Sequence, residues 1–400
     1  MTPHDILIIG ASVAGVRLAQ TLRRRKYPGH IRLLDAEPGL PYDKPALSKE
    51  VLAAEGPQAD PPVLIDENQL TALDIELLQG CPAESMDTAA KTVRTPAGEL
   101  AFTTAVIATG ATPRTLPTFA DLDGVHYLRS RADAEGLRVA LENTRHLAVV
   151  GGGFIGGEVA SSARSRGIEV TIIEAAPRLL ARTMPAEVAH EVAELHRANG
   201  VSLELGKSVS YAVGEGQIDQ IVLSDGRTLE VDTLVVGIGA RPETDWLEGS
   251  GLHLDDGILC EPDLRAEGAS DIFAIGDVAR WRDPHTGEYR RLEHWTAARE
   301  QAALVATNIC AEASTAFTTT EYIWSDQHGV RIQHVGHIGS SLTRTSNKQG
   351  GLLFTHFAGA EIVGATGFDA SHELLGVRQR LTAAALDRRT QASTGPVSGR

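Results

Sequence analysis

The sequence predicts an α/β protein with two Rossmann-like domains and a smaller α+β domain at its C-terminal end. Three observations predict it. Two strand–glycine turn–helix units recur about 140 residues apart, and each is followed later by an apolar strand ending in small residues. From about residue 317 the chain changes to short alternating strands and then one helical stretch.

At 400 residues the chain exceeds one ordinary core and suits two or three domains. Its 37 Lys and Arg against 52 Asp and Glu leave a net charge of −15, which argues against nucleic acid or an anionic membrane as a partner. The three cysteines, Cys81, Cys260 and Cys310, form neither a C-x-x-C nor a C-x4-C pair. That excludes dithiol chemistry and a metal site built on cysteine pairs. No histidine spacing suits a metal, so none is expected. The scarcity of cysteine fits a reducing compartment, and the run Ile6–Ile9 is too short for a signal or membrane segment. A cytoplasmic protein without membrane insertion is expected.

In the first unit a short apolar strand runs into Gly10, Ala11, Ser12, Val13, Ala14 and Gly15, and a helix follows. A dinucleotide pyrophosphate needs backbone N–H donors at a helix N-terminus with no side chain in the way. Gly10 suits the tight turn and Gly15 the close packing of helix on strand, while Ser12 stands at the middle glycine position. The strand IRLLD ends at Asp35, and either Asp35 or Glu37 could hold an adenosine ribose.

The second unit is complete. Gly151, Gly153 and Gly156 form G-x-G-x-x-G, and the strand VTIIE ends in Glu174, where a ribose 2′-hydroxyl would bind. A carboxylate there accepts from the diol and repels a 2′-phosphate, so NADH is expected over NADPH. Phe154, Ile155, Arg182, Gly237, Ile238 and Gly239 are further candidates for this nucleotide. The closing strands TAVIATG and TLVVGIGA place small residues beside a bound cofactor, with Ala108, Thr109 and Gly110 in the first.

The strand in DIFAIGDVA ends at Gly276, and Asp277 could accept from a flavin's ribityl hydroxyls or cap a helix. A helix starting near Thr296 would direct its positive end at reduced flavin, with Trp295 at that terminus. Ala83, Glu293 and His294 complete this candidate set.

The stretches LPYDKPALSK, GGGFIGGE, DIFAIGDVA and YIWSDQHGVRIQHVG together resemble the NADH-dependent ferredoxin reductases of bacterial oxygenase systems, which have a glutathione-reductase-type architecture. The resemblance runs from Ile6 to about Leu386. It implies FAD on residues 1–113 and 235–316, NADH on an inserted domain at 114–234, and a C-terminal domain at 317–390; the composition of the last residues separately suggests a disordered tail at 391–400. The resemblance implies Lys49 near flavin N5, Glu158 beside the nicotinamide, Arg129 on the FAD, a backbone N–H from Trp295 to the flavin, and Trp324 in the flavin-side wall. The implied reaction passes hydride from NADH to flavin, then single electrons to a 2Fe–2S ferredoxin serving a cytochrome P450 or Rieske oxygenase. Alternatives are a related reductase for rubredoxin or monodehydroascorbate, or an NADH-sensing flavoprotein of the apoptosis-inducing-factor type.

The chain departs from that family in three places. Ala36 replaces an acid, Pro45-Ala46 replaces Pro-Pro, and Gly157 replaces a commoner Leu, which is expected to loosen packing beside Glu158. An acidic ferredoxin needs a basic docking face, for which Arg23–Lys26 and Arg290–Arg291 are the local candidates.

Overall fold

The computed structural model describes residues 5–54, 59–119 and 122–393. The chain divides into two compact units. The first comprises Met1–Thr144, Gly214–Asp219 and Asp232–Thr319; the second comprises Arg145–Val213, Gln220–Val231 and Thr320–Arg400.

The first unit is organised by a five-stranded parallel sheet. Its order is Ile272–Ala274, Thr104–Ile107, Ile6–Ile9, Ile31–Leu34, Ile75–Leu78. The Ile6–Ile9 strand is buried along its whole length, as expected of a central parallel strand covered on both faces. Helix Val13–Arg24 presents Val16, Ala19 and Leu22 to the core and packs on helix Trp295–Cys310. At its C-terminal end the Arg23 guanidinium donates to the carbonyls of Tyr27, Gly29, Leu73 and Asp74 at 2.6–2.9 Å. Arg23 therefore ties the helix end to the following loops.

In the second unit, strands His146–Val150, Glu169–Glu174 and Val201–Leu205 run parallel in that order. Helix Phe154–Ser165 connects the first two. A five-stranded antiparallel sheet follows, ordered Tyr322–Gln327, Val330–Gly336, Glu361–Phe368, Leu352–Ala358, Ser341–Ser346. Leu374 and Val377 of helix Ser371–Ser393 pack on Val335 and Ala365 of this sheet. The helix runs through residues 391–393 of the expected tail, and 394–400 lie outside the described residues. Among the described residues, no helix is long and apolar enough to cross a membrane.

Candidate functional site

Both glycine loops adopt the geometry that their spacing predicts. Gly10 has φ +109° and Gly151 has φ +112°, values that side chains rarely tolerate. A Cβ on Gly15 would press on the Gly10 carbonyl, and one on Gly156 would press on the Gly151 carbonyl. Ser12 and Gly153 are the N-cap residues of the two helices; the Ser12 side chain makes no capping bond, and Gly153 has no side chain to make one. The first-turn N–H groups at each end thus remain oriented for an anion, the cradle a pyrophosphate requires. Ala14 lies buried on the first helix, with its methyl close to Gly276. Phe154 is half-buried, and Ile155 is 52% exposed beside the second loop.

In the first unit Glu37 and Asp35 have different tasks. Lys44 Nζ donates to Glu37 Oε1, and Tyr42 Oη donates to Oε2 at 2.5 Å. Tyr42 Oη in turn accepts from the Arg131 backbone N–H at 2.7 Å, and the Lys44 and Arg131 cations lie 4.8 Å from the Tyr42 ring centroid. Glu37 is a structural anchor for this cationic cluster, and Lys44 holds its carboxyl below the usual range. Asp35 sits at the strand end, with Oδ1 accepting from the Glu37 backbone N–H at 3.2 Å. Burial raises its carboxyl to about 6.

Arg129 and Asp277 approach to 3.8 Å. Burial pushes the Asp277 carboxyl above its ordinary value, and the Arg129 guanidinium opposes that shift. The Arg129 guanidinium also fills the space a Cβ on Gly110 would need. Thr109 Oγ1 donates to the Glu243 carbonyl at 2.9 Å beside buried Ala108. Gly276 N–H donates to Gln301 Oε1 at 2.6 Å. Trp295 opens its helix after the N-cap His294, one residue earlier than expected. The Trp295 indole N–H donates to Asp43 at 2.7 Å. Glu293 is held by Arg291 at 2.6 Å, Lys49 Nζ donates to the Pro45 carbonyl at 3.1 Å, and Ala83 packs on the unit's core. Gly237, Ile238 and Gly239 also fall in this first unit, where the Gly239 carbonyl accepts from Arg114 N–H at 2.9 Å.

In the second unit both Glu174 oxygens accept backbone N–H bonds, from Gly152 at 2.6 Å and from Ala176 at 2.7 Å. The acid is thereby clamped at the mouth of the glycine loop. Arg178 donates to the Met184 carbonyl at 2.6 Å, and Arg182 is exposed. Trp324 lies on the strand Tyr322–Gln327, its ring stacked near Tyr322 at 6.3 Å. Glu158 is 5% exposed and accepts from Ser325 Oγ at 2.6 Å. Gly157 does not loosen this region, contrary to expectation. The Gln327 side chain fills the space, and a Cβ on Gly157 would meet Gln327 Oε1 at 2.7 Å.

Sequence reasoning gave Tyr42, Lys44, Arg131, Gln301, Ser325 and Gln327 no individual role, although Tyr42 and Lys44 lie in the LPYDKPALSK stretch and Ser325 and Gln327 in YIWSDQHGVRIQHVG. Of the two basic candidates for docking, the Arg290–Arg291 pair is engaged by acids, Arg290 by Asp283 at 3.0 Å and Arg291 by Asp256 and Glu293.

Residues 4–302 match the family model described as pyridine nucleotide-disulphide oxidoreductase. A rubredoxin-NAD(+) reductase of Pseudomonas putida is 38% identical over 334 residues, covering 83% of this chain and 86% of that protein. The ferredoxin--NAD(+) reductase subunit of a benzene 1,2-dioxygenase system from Pseudomonas putida is 37% identical, covering 84% and 81%. Among solved structures, the covalent putidaredoxin reductase-putidaredoxin complex matches with a TM-score of 0.89 at 27% identity, covering 95% of this chain and 93% of that one.

Proposed function

This chain belongs to the pyridine nucleotide-disulphide oxidoreductase family, and on that premise we propose that it is an FAD-dependent NADH:ferredoxin oxidoreductase of an oxygenase system. The observation that carries this reading is the pair of glycine cradles, one in each unit, each followed by a strand-end acid. A family named for disulphide chemistry is served here without a dithiol. Cys260 is buried, and none of the three cysteines is disulfide-bonded. In this reading the electrons pass from the flavin to an external acceptor without a dithiol relay.

The first unit fits FAD. Gly10, Ser12, Ala14 and Gly15 would receive the pyrophosphate, Asp35 the adenosine ribose, and Arg129 and Asp277 the middle of the molecule. Ala108, Thr109 and Gly110 would line its path, and Lys49 and the helix at Trp295 would lie toward the ring. When bound, FAD supplies the conversion of a hydride pair into single electrons. The protein's part is binding, orientation and charge. Gly151, Gly153 and Gly156 would hold the NADH pyrophosphate, Glu174 the ribose diol, and Glu158 the nicotinamide end. We read the domains as 1–113 and 235–316 for FAD, 114–234 for NADH, and 317–390 for the C-terminal domain; the compact units divide the chain differently, placing 114–144 with the first unit and 320–400 with the second. A cytoplasmic location agrees with the three free cysteines.

A 2Fe–2S ferredoxin is the acceptor in this reading, and through it a cytochrome P450 or Rieske oxygenase. Rubredoxin is the second reading, favoured by the 38% identical relative. The test is NADH-driven reduction of cytochrome c through added ferredoxin or rubredoxin. Faster turnover with ferredoxin supports the first reading, and turnover with rubredoxin alone replaces it by the second.

A further inference from the structure

Within the second unit, three side chains join Glu158 to the half-buried His328 in an unbroken series. Ser325 Oγ lies 2.6 Å from Glu158 Oε1, and Gln327 Nε2 lies 2.9 Å from Ser325 Oγ. Gln327 Oε1 lies 3.0 Å from His196 Nε2, and His196 Nδ1 lies 3.0 Å from His328 Nε2. Ser325, Gln327 and His196 are at most 1% exposed. The His328 backbone N–H is pinned by Ser161 Oγ at 2.7 Å, on the same helix as Glu158.

The direction of every bond follows from the chemistry of its end. A carboxylate only accepts, so Ser325 donates to Glu158. Ser325 oxygen is then the acceptor for the Gln327 amide nitrogen, which turns the amide oxygen toward His196. His196 must carry its hydrogen on Nε2. A neutral imidazole with a proton on Nε2 has a bare Nδ1, which accepts from His328. Burial favours that neutral form, pushing His196 down to about 4. All four donors therefore point one way, toward the carboxylate, and such aligned bonds polarise one another. Gly157 belongs to the device, because any side chain there would strike Gln327.

We propose that Ser325, Gln327, His196 and His328 are positioning residues for Glu158, a one-way hydrogen-bond chain that fixes its carboxylate in the orientation that receives the nicotinamide. This rests on the reading that Glu158 faces that ring. The chain links the nucleotide-binding helix to the strand Tyr322–Gln327, so the C-terminal domain acts directly on nucleotide recognition.

The test measures NAD+ binding to the flavin-loaded protein by calorimetry. Ser325→Ala and Gln327→Met are each expected to weaken binding on the order of ten-fold, since each removes support from a charged acceptor. The double variant is expected to be no weaker than either single, because both cut the same chain, and Ser325→Thr is expected to bind like the parent. In 15N-histidine spectra, a slowly exchanging His196 Nε2 proton is expected in the parent and lost in Gln327→Met. Single variants within two-fold of the parent, an additive double variant, or a parent His196 carrying its proton on Nδ1 alone would each overturn the proposal. Glu158→Gln separates the two levels. Unchanged NAD+ binding in that variant removes the reading of Glu158 itself, whereas loss there with unchanged Ser325→Ala removes only the chain.

Discussion

Asp35 and Glu174 occupy the same register position in their respective units. Gly10 N–H donates to the Leu34 carbonyl and Gly151 N–H to the Ile173 carbonyl, both at 2.8 Å, and the acid is the next residue in each case. Each also accepts the backbone N–H two residues onward. On this equivalence we propose Asp35 rather than Glu37 as the ribose acid of the first unit; Glu37 is engaged instead by the Lys44 and Tyr42 side chains.

Asp35→Ala is accordingly expected to weaken FAD retention more than Glu37→Gln. Loss of a charged acceptor of this kind costs about 1.5–3 kcal/mol, or roughly ten- to a hundred-fold in affinity. Flavin remaining after dialysis, measured by absorbance, checks it. Equal retention by Asp35→Ala and the parent would return the role to Glu37.

Glu174→Ser is expected to lower kcat/KM for NADH by about ten-fold or more, because the ribose acceptor is lost and the Gly152 and Ala176 N–H groups lose their shared clamp. NADPH should gain little, because nearby Arg178 is spent on the Met184 carbonyl. Steady-state kinetics with both nucleotides decide it, and a switch to NADPH from this one change would count against the argument.

Stability should fall in mild acid through His196. Its folded pKa of about 4 lies below the ordinary 6.5, so the unfolded chain binds the extra proton first. The stabilising contribution is complete above pH 6.5 and is lost as pH falls from 6.5 toward about 4. Urea midpoints at pH 7 and pH 5 should differ, with a smaller difference in His196→Gln. Identical slopes in the two proteins would refute the assignment.

Gly157→Ala is expected to destabilise the protein by about 1–3 kcal/mol through the clash with Gln327. In a Gln327→Ala background, Gly157→Ala should add little further loss, because the obstructing side chain is gone. Thermal melts of the two singles and the double check this. A double variant as unstable as the sum would mean the two residues do not share the space.

The glycine loops, the parallel strands and the C-terminal strand Glu361–Phe368 were legible in the sequence, because backbone sterics and apolar runs are local signals. The strand Ser341–Ser346 was not, since five of its six residues are exposed and its sequence SLTRTS has no apolar alternation. The register equivalence of Asp35 with Glu174 needed the strand pairing, which sequence left open between Asp35 and Glu37. The chain from Glu158 to His328 was invisible for a similar reason. Its members lie up to 170 positions apart, and Ser, Gln and His gain meaning there only from what each one touches.

Anaerobic mixing of the flavin-loaded protein with NADH, followed by addition of an oxidised 2Fe–2S ferredoxin, tests the central claim most directly. The expected record is rapid bleaching of the flavin absorbance by NADH, much slower bleaching by NADPH, and return of the flavin band as two equivalents of ferredoxin are reduced. Flavin that stays oxidised with NADH, or that bleaches but does not return on adding ferredoxin, would contradict it.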